Sequence, residues 1–279
     1  MQHIEFSLKS PDGLDFFFQG WQPDAPSKAV VCLVHGLGEH SGRYAHVAAA
    51  LNDAGYALFG FDLRGHGKSG GQRGHTPSME AWIDDIARLT DEAATRFTGK
   101  PRFLYGHSLG GLLVLTYSLR RKPSLAGVIA SSPGLRPIFP IPAAKLAIAR
   151  IASTLRPTLP IASGLEPDGI SRDPEIIHTY IADPLVHDRV SARSALTGIQ
   201  AGDWALAHAA EFPPVPLLLV HGTADSLTSP AATEEFAAKV PGECTLKLWE
   251  GFYHETHNEP EKAAVLAFMI DWLQQHTPE

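Results

Sequence analysis

The sequence predicts one α/β domain: a mostly parallel sheet flanked by helices, with a helical block inserted late in the chain. Three observations carry this. Short apolar runs such as Ala29 to Val34 (AVVCLV) alternate with longer helical patterns, and strand-helix alternation implies a parallel sheet covered on both faces. The alternation stops between about Pro137 and Phe212 and then resumes. The 279 residues are 44% apolar and 19% charged, which suits one large globular domain that needs no staples.

The elements follow in order. His3 to Leu8 and Leu14 to Trp21, joined by the turn signal Pro11-Asp12-Gly13, predict a hairpin. Ala29 to Val34 is apolar throughout, as a strand buried on both faces requires. A helix is expected from Tyr44 to Ala54, closed by Gly55, then a strand from Ala57 to Phe61 ending at Asp62 and a glycine-rich stretch from Arg64 to Gly74. Pro77-Ser78 opens a helix over Met79 to Phe97, with Trp82, Ile83, Ile86 and Leu89 at helical spacing. Arg102 to Tyr105 is a short strand, Leu109 to Arg120 a helix apolar nearly all round and therefore buried, and Leu125 to Ala130 a further strand. After the break come a strand at Val215 to Val220, a helix over Pro230 to Val240, a strand at Thr245 to Trp249 and a last helix over Pro260 to Gln275. The expected division is a core of residues 1–134 and 213–279 and a helical cap of residues 135–212, with no clear strand in the cap. Such an insertion would cover the C-terminal ends of the strands, where these sheets place their sites.

Gly106-His107-Ser108-Leu109-Gly110 matches G-x-S-x-G between a strand and a helix, the context a nucleophile elbow needs. The turn is so tight that side chains at the flanking positions would clash, and Gly106, Gly110 and Gly111 remove them. Ser108 then stands at a helix N-terminus, where backbone N–H groups favour negative charge. The loop His35-Gly36-Leu37-Gly38 follows the first buried strand, so the backbone N–H groups of Leu37 and Leu109 are the expected oxyanion donors. His35 precedes the nucleophile and is expected to be structural.

A serine needs a base, and the base a carboxylate to orient it. In this fold the order is serine, acid, histidine. Asp225 follows the Val215 to Val220 strand in His221-Gly222-Thr223-Ala224-Asp225. Asp62 precedes the nucleophile and is expected to anchor a loop. Among 14 histidines, His254 lies between the last strand and the last helix, where the base belongs, with Gly251 letting the loop turn; His257 is its rival. His254-Glu255-Thr256-His257 is one residue short of the zinc pattern H-E-x-x-H, so neither metal nor cofactor is expected.

Together the runs HGLGEHSGRY (His35 to Tyr44), FDLRGHGKSGGQRG (Phe61 to Gly74), GHSLGG (Gly106 to Gly111), HGTAD (His221 to Asp225) and the His254 loop resemble the monoacylglycerol lipase and lysophospholipase group of α/β-hydrolases. The resemblance implies the α/β-hydrolase fold and the triad Ser108, Asp225 and His254. It also implies that Glu39, His40 and Arg43 lie near the site floor, where they either shape the glycerol-binding end or tie the loop to its neighbours. His107 joins them as a candidate substrate-binding residue. The expected reaction is cleavage of a carboxylic ester, above all a monoacylglycerol, through an acyl-enzyme on Ser108. The alternatives are a lysophospholipase or broad carboxylesterase, then an aminopeptidase or amidase, which would want an acidic pocket, with Glu166, Asp168, Asp173 and Glu175 as its candidate lining, and last a non-catalytic ligand receptor.

The net charge of −7 and the lack of a basic run argue against a nucleic-acid partner, and no obligate protein partner is implied. The expected partner is a small acyl ester. Two free buried thiols, Cys32 and Cys244, suit a reducing cytoplasm, and neither a signal peptide nor a long apolar span stands out. In the cap, Pro133, Pro137, Pro140 and Pro142 lead into a helix over Ala143 to Leu155. Ile148, Ile151 and Leu155 share one face of it, with Lys145, Arg150 and Ser153 away from that face. This face is expected to pack on the sheet domain; the alternative is transient contact with a lipid surface.

Overall fold

The computed structural model describes residues 1–278. Strands β1 (Gln2–Lys9) and β2 (Asp15–Gln22) form the expected antiparallel hairpin. The other core strands are β3 (Ala29–Val34), β4 (Tyr56–Phe61), β5 (Arg102–His107), β6 (Gly127–Ser131), β9 (Leu217–Gly222) and β10 (Cys244–Trp249), numbered to leave β7 and β8 for a ribbon in the cap. The eight strands run in the order β1-β2-β4-β3-β5-β6-β9-β10, parallel from β4 onward, as an α/β-hydrolase fold requires. β3, β4 and β9 are buried along their whole length, which is why they read as unbroken apolar runs.

Helices α1 (Ala45–Asp53), α2 (Met79–Arg96), α3 (Leu109–Arg121), α7 (Pro230–Ala237) and α8 (Lys262–His276) cover the two faces. Ser78 caps α2, its hydroxyl accepting from the Ala81 N–H at 3.2 Å. β9 begins two residues later than expected because Pro216 has no N–H to give the ladder; its carbonyl still accepts from Val128 at 2.9 Å. The sheet has a core on each side. One is built around Phe18, Phe59, Phe61, Trp82 and Leu113, the other around Tyr44, Leu58, Tyr105 and Trp272.

Between β6 and β9 lie α4 (Ala143–Leu155), α5 (Pro174–Ala182) and α6 (Ala192–His208). This block also holds an antiparallel ribbon, β7 (Pro160–Ala162) with β8 (Arg189–Ser191), against the expectation of no strand. Three residues a side, with a proline and an arginine among them, are too short to show alternation. α6 lies on α3 and crosses the loop after β6 so closely that a side chain at Gly202 would strike the Leu135 carbonyl, and α4 lies against α6.

The orientation of α4 reverses the expectation. Ser153 is buried, whereas Ile148, Ile151 and Leu155 are 67%, 61% and 75% exposed. Leu146, Ala149 and Ala152 are partly covered, so the exposed side of α4 carries Ile148, Ile151 and Leu155. Phe139, Ile141 and Ile181 are also exposed large apolar residues of this block. Cys32 is buried and Cys244 only partly so; both are free thiols. Among the described residues no helix is long and apolar enough to cross a membrane.

Candidate active site

The elbow between β5 and α3 forces Ser108 to φ 54° and ψ −117°, a conformation that L residues avoid. A Cβ at Gly106 would strike the Gly110 carbonyl, and one at Gly110 would strike that of Val34. The backbone is pinned on both sides: Ser108 N–H donates to the Ser131 carbonyl at 2.9 Å, and the Ser108 carbonyl accepts from Leu112 at 3.0 Å and Gly134 at 2.9 Å. Leu109 is the first residue of α3, so its N–H has no partner within the helix.

The structure brings the candidate acid Asp225 and the candidate base His254 together. His254 Nδ1 donates to Asp225 Oδ2 at 2.7 Å, which leaves Nε2 as the acceptor. Asp225 is held on every side. Its Oδ1 accepts from the N–H groups of Leu227 (2.7 Å) and Thr228 (3.0 Å), and its Oδ2 also accepts from His221 Nε2 (3.0 Å) and the Thr228 hydroxyl (2.9 Å). His221 is fixed in turn through Nδ1 on the Thr233 hydroxyl at 2.8 Å. Sequence reasoning missed His221 and Thr228, although the HGTAD run contains the first. Burial alone would raise the Asp225 pKa, but His254 and His221 hold it far below the usual carboxylate range. Burial likewise opposes protonation of His254; the Asp225 charge outweighs it and raises the imidazole above its ordinary value.

Ser108 and His254 line one narrow cleft with Gly36, Leu37, Glu39, His107, Tyr180 and Glu255, and cap and loop residues Leu165, Ile170 and Leu227 close it with apolar side chains. Its volume is about 20 Å³, room for about one water.

Of the candidate substrate-binding residues, Glu39 and His107 reach this cleft, whereas His40 and Arg43 are occupied elsewhere. Glu39 Oε1 accepts from the Gly36 N–H (2.6 Å) and the Tyr44 hydroxyl (2.8 Å). Arg43 donates to Glu39 Oε2 (2.6 Å) and, with both terminal nitrogens, to Glu255 (2.7 and 2.8 Å), while its guanidinium lies 4.7 Å from the Tyr180 ring centre. His40 bonds Asp183 Oδ2 at 2.9 Å. These contacts tie the loop to its neighbours, the second of the two roles weighed for these charges. Burial, and then the His254 charge, push His107 down to about 3, so it stands as a neutral ring 4.8 Å from His254.

The rival candidate His257 stands away from Asp225 among other rings. It stacks on Tyr44 at 4.9 Å and meets His107 edge-on at 4.9 Å, while Asp225 is bonded to His254 instead. Asp62 anchors a loop as expected, accepting from Ser41 N–H (2.9 Å), Ser41 hydroxyl (2.6 Å) and Lys68 N–H (2.8 Å). His35 is structural, its Nε2 accepting from Leu63 N–H at 2.9 Å. Among the described residues no group of three or more His, Cys, Asp or Glu is placed to hold a metal ion.

Comparison with known proteins agrees with this architecture. Residues 25–261 match the family described as serine aminopeptidase, S33. The chain is 35% identical over 274 residues to the monoacylglycerol lipase of Mycolicibacterium smegmatis, covering 98% of this chain and 97% of that protein. It is 39% identical over 272 residues to an uncharacterized abhydrolase domain-containing protein of Dictyostelium discoideum, covering 96% of this chain but only 29% of that longer protein. The crystal structure of Paleococcus ferrophilus monoacylglycerol lipase superposes with a TM-score of 0.86 at 36% identity, covering 94% of this chain and 99% of that one.

Proposed function

The chain belongs to the serine aminopeptidase S33 family and, within it, to the monoacylglycerol lipase group of α/β-hydrolases; from that premise we propose that it hydrolyses monoacylglycerols through an acyl-enzyme on Ser108. The observation that carries the reading is the His254–Asp225 bond at 2.7 Å beside the strained Ser108 elbow, in one cleft with Leu37.

His254 Nε2 takes the proton of Ser108 Oγ as that oxygen adds to the ester carbonyl. The carbonyl oxygen becomes an oxyanion held by the Leu37 and Leu109 N–H groups, each worth roughly 3–4 kcal/mol in the transition state. His254 then passes its proton to the leaving glycerol oxygen, and the C–O bond breaks. A water, deprotonated by the same nitrogen, adds to the acyl-enzyme carbonyl; the bond to Ser108 Oγ breaks as His254 returns that proton to Oγ, and the fatty acid leaves. Asp225 keeps the imidazole in the right tautomer throughout and offsets its charge.

The apolar side chains of Leu37, Leu165, Ile170 and Leu227 favour an acyl chain over a charged group. The same lining weighs against an aminopeptidase. Glu166, Asp168, Asp173 and Glu175 are not among the cleft residues, and Asp173 spends its carboxylate capping α5 on the Glu175 N–H at 3.0 Å. Glu39 and Glu255, which do line the cleft, share Arg43. The cleft is narrow, so binding of a monoacylglycerol is expected to be accompanied by movement of the cap side chains that line it. The outward apolar face of α4, flanked by Lys145, Arg150 and Arg156, supports transient contact with a lipid surface, and the free cysteines suit work in the cytoplasm.

The test is a hydrolysis panel of monoacylglycerols, di- and triacylglycerols, lysophospholipids, aryl esters and an aminoacyl amide. Monoacylglycerols are expected to give the highest kcat/KM; preference for the amide or a lysophospholipid would overturn the substrate reading.

A further inference from the structure

The glycine-rich run from Arg64 to Gly74 contributes nothing to the triad, yet it and the Gly36 to Arg43 loop meet the same piece of the cap. That piece is the strap from Asp183 to Ser191, between α5 and α6. His187 N–H donates to the Gly38 carbonyl at 2.9 Å, and a side chain on Gly38 (φ 79°) would strike the His187 carbonyl. Four residues upstream, Asp183 Oδ2 bonds His40 Nε2 at 2.9 Å. His40 Nδ1 accepts the Gly42 N–H, so Nε2 carries the proton and donates.

The other end of the strap is held by the glycine-rich run. His187 Nε2 bonds the Gly65 carbonyl at 3.1 Å, with its ring 4.9 Å from that of His66. Ser191 N–H donates to the Gly74 carbonyl at 3.0 Å, and a side chain on Gly74 (φ 65°) would strike the Arg189 carbonyl. The strap is therefore joined backbone to backbone with the loops that follow β3 and β4. Gly38, one of the two glycines it grips, is bonded directly to Leu37.

We propose that Asp183 and His187 are positioning residues: the strap holds the Gly38–Glu39 peptide by the Gly38 carbonyl and, through the short backbone from Gly38 back to Leu37, steadies the Leu37 N–H where the ester oxyanion develops. This rests on the serine-hydrolase reading with Leu37 as a donor. The cap then does more than wall in the acyl chain. Its correct seating completes the oxyanion hole, and a loosened strap moves a donor whose full loss costs 10²- to 10³-fold in kcat.

The experiment compares p-nitrophenyl acetate, whose acyl group is too short to use the cap wall, with a long-chain monoacylglycerol. Asp183→Ala is expected to lower kcat about tenfold on both substrates at little-changed KM, and to weaken an alkyl boronic acid, which binds Ser108 as a tetrahedral adduct, by a similar factor. Asp183→Asn keeps an acceptor for His40 Nε2 and is expected to stay within about twofold of wild type. His187→Ala and His187→Gln form a second pair with the same expectation, and urea midpoints show that each variant is folded. Unchanged kcat on the acetate, with only KM raised for the long chain, overturns the proposal and leaves the strap as a wall. An inactive wild type, or an active Ser108→Ala variant, would instead remove the serine-hydrolase reading itself.

Discussion

Arg43→Ala is expected to destabilise the fold by about 3 kcal/mol, because it leaves two buried carboxylates facing each other. The side chains of Arg43, Glu39 and Glu255 are only 11%, 3% and 4% exposed. With Arg43 present the cluster carries one net negative charge; without it, two. Neutral donors remain, namely Gly36 N–H and the Tyr44 hydroxyl for Glu39 and the Asn258 amide for Glu255, so the loss falls at the low end of the 3–5 kcal/mol typical of broken buried pairs. Burial favours a neutral Glu255, but Arg43 holds its pKa far below the ordinary value, so removing Arg43 frees that carboxyl to take up a proton. Urea unfolding at pH 7 measures the loss, and at roughly 2 °C per kcal/mol the melting temperature drops by about 6 °C. Arg43→Met combined with Glu255→Gln removes a charge of each sign and is expected to recover most of the stability. A loss under 1 kcal/mol in Arg43→Ala would refute the reasoning, since it would mean that water already screens the cluster.

Other outcomes follow from the same contacts. Because His254 must be neutral to accept the Ser108 proton, kcat/KM is expected to rise with pH through a value above 6.5, and Asp225→Asn to lower kcat by about 10⁴-fold through the wrong tautomer; a midpoint at or below 6.5 would contradict the Asp225 effect. His107 and His257 are buried neutral and their pKa values are depressed, so the stability tied to them is complete above pH 6.5 and falls as the pH drops through about 3 for His107. Urea midpoints should therefore fall progressively between pH 6.5 and 4.5, and a flat profile there would count against buried neutral imidazoles. On α4, Ile148→Asp with Leu155→Asp is expected to reduce sedimentation with anionic vesicles severalfold and to leave the rate on a soluble short ester unchanged; equal loss on both would make the face structural.

The legible features were those set by local chemistry. An elbow needs glycines at fixed offsets from Ser108, a buried parallel strand needs an unbroken apolar run, and the fold's chain order leaves few places for Asp225 and His254. Each of these is written within a few consecutive residues. What stayed hidden depends on partners far along the chain. His221 looks like part of a strand end until Asp225 folds back on it. Arg43 reveals its role only when Glu255, 212 residues away, arrives beside it. The orientation of α4 is not legible because periodicity reports that a helix has an apolar side but not what covers it, and here Ser153 is buried while Ile148, Ile151 and Leu155 are exposed. The ribbon β7–β8 was too short for any pattern.

If Ser108 forms the acyl-enzyme, peptide mapping after reaction with a fluorophosphonate will find a single stoichiometric adduct on Ser108, with Ser108→Ala unlabelled, folded and less than a tenth as active on a monoacylglycerol. Labelling at another serine, or a Ser108→Ala variant that keeps a tenth or more of the wild-type rate, would contradict it.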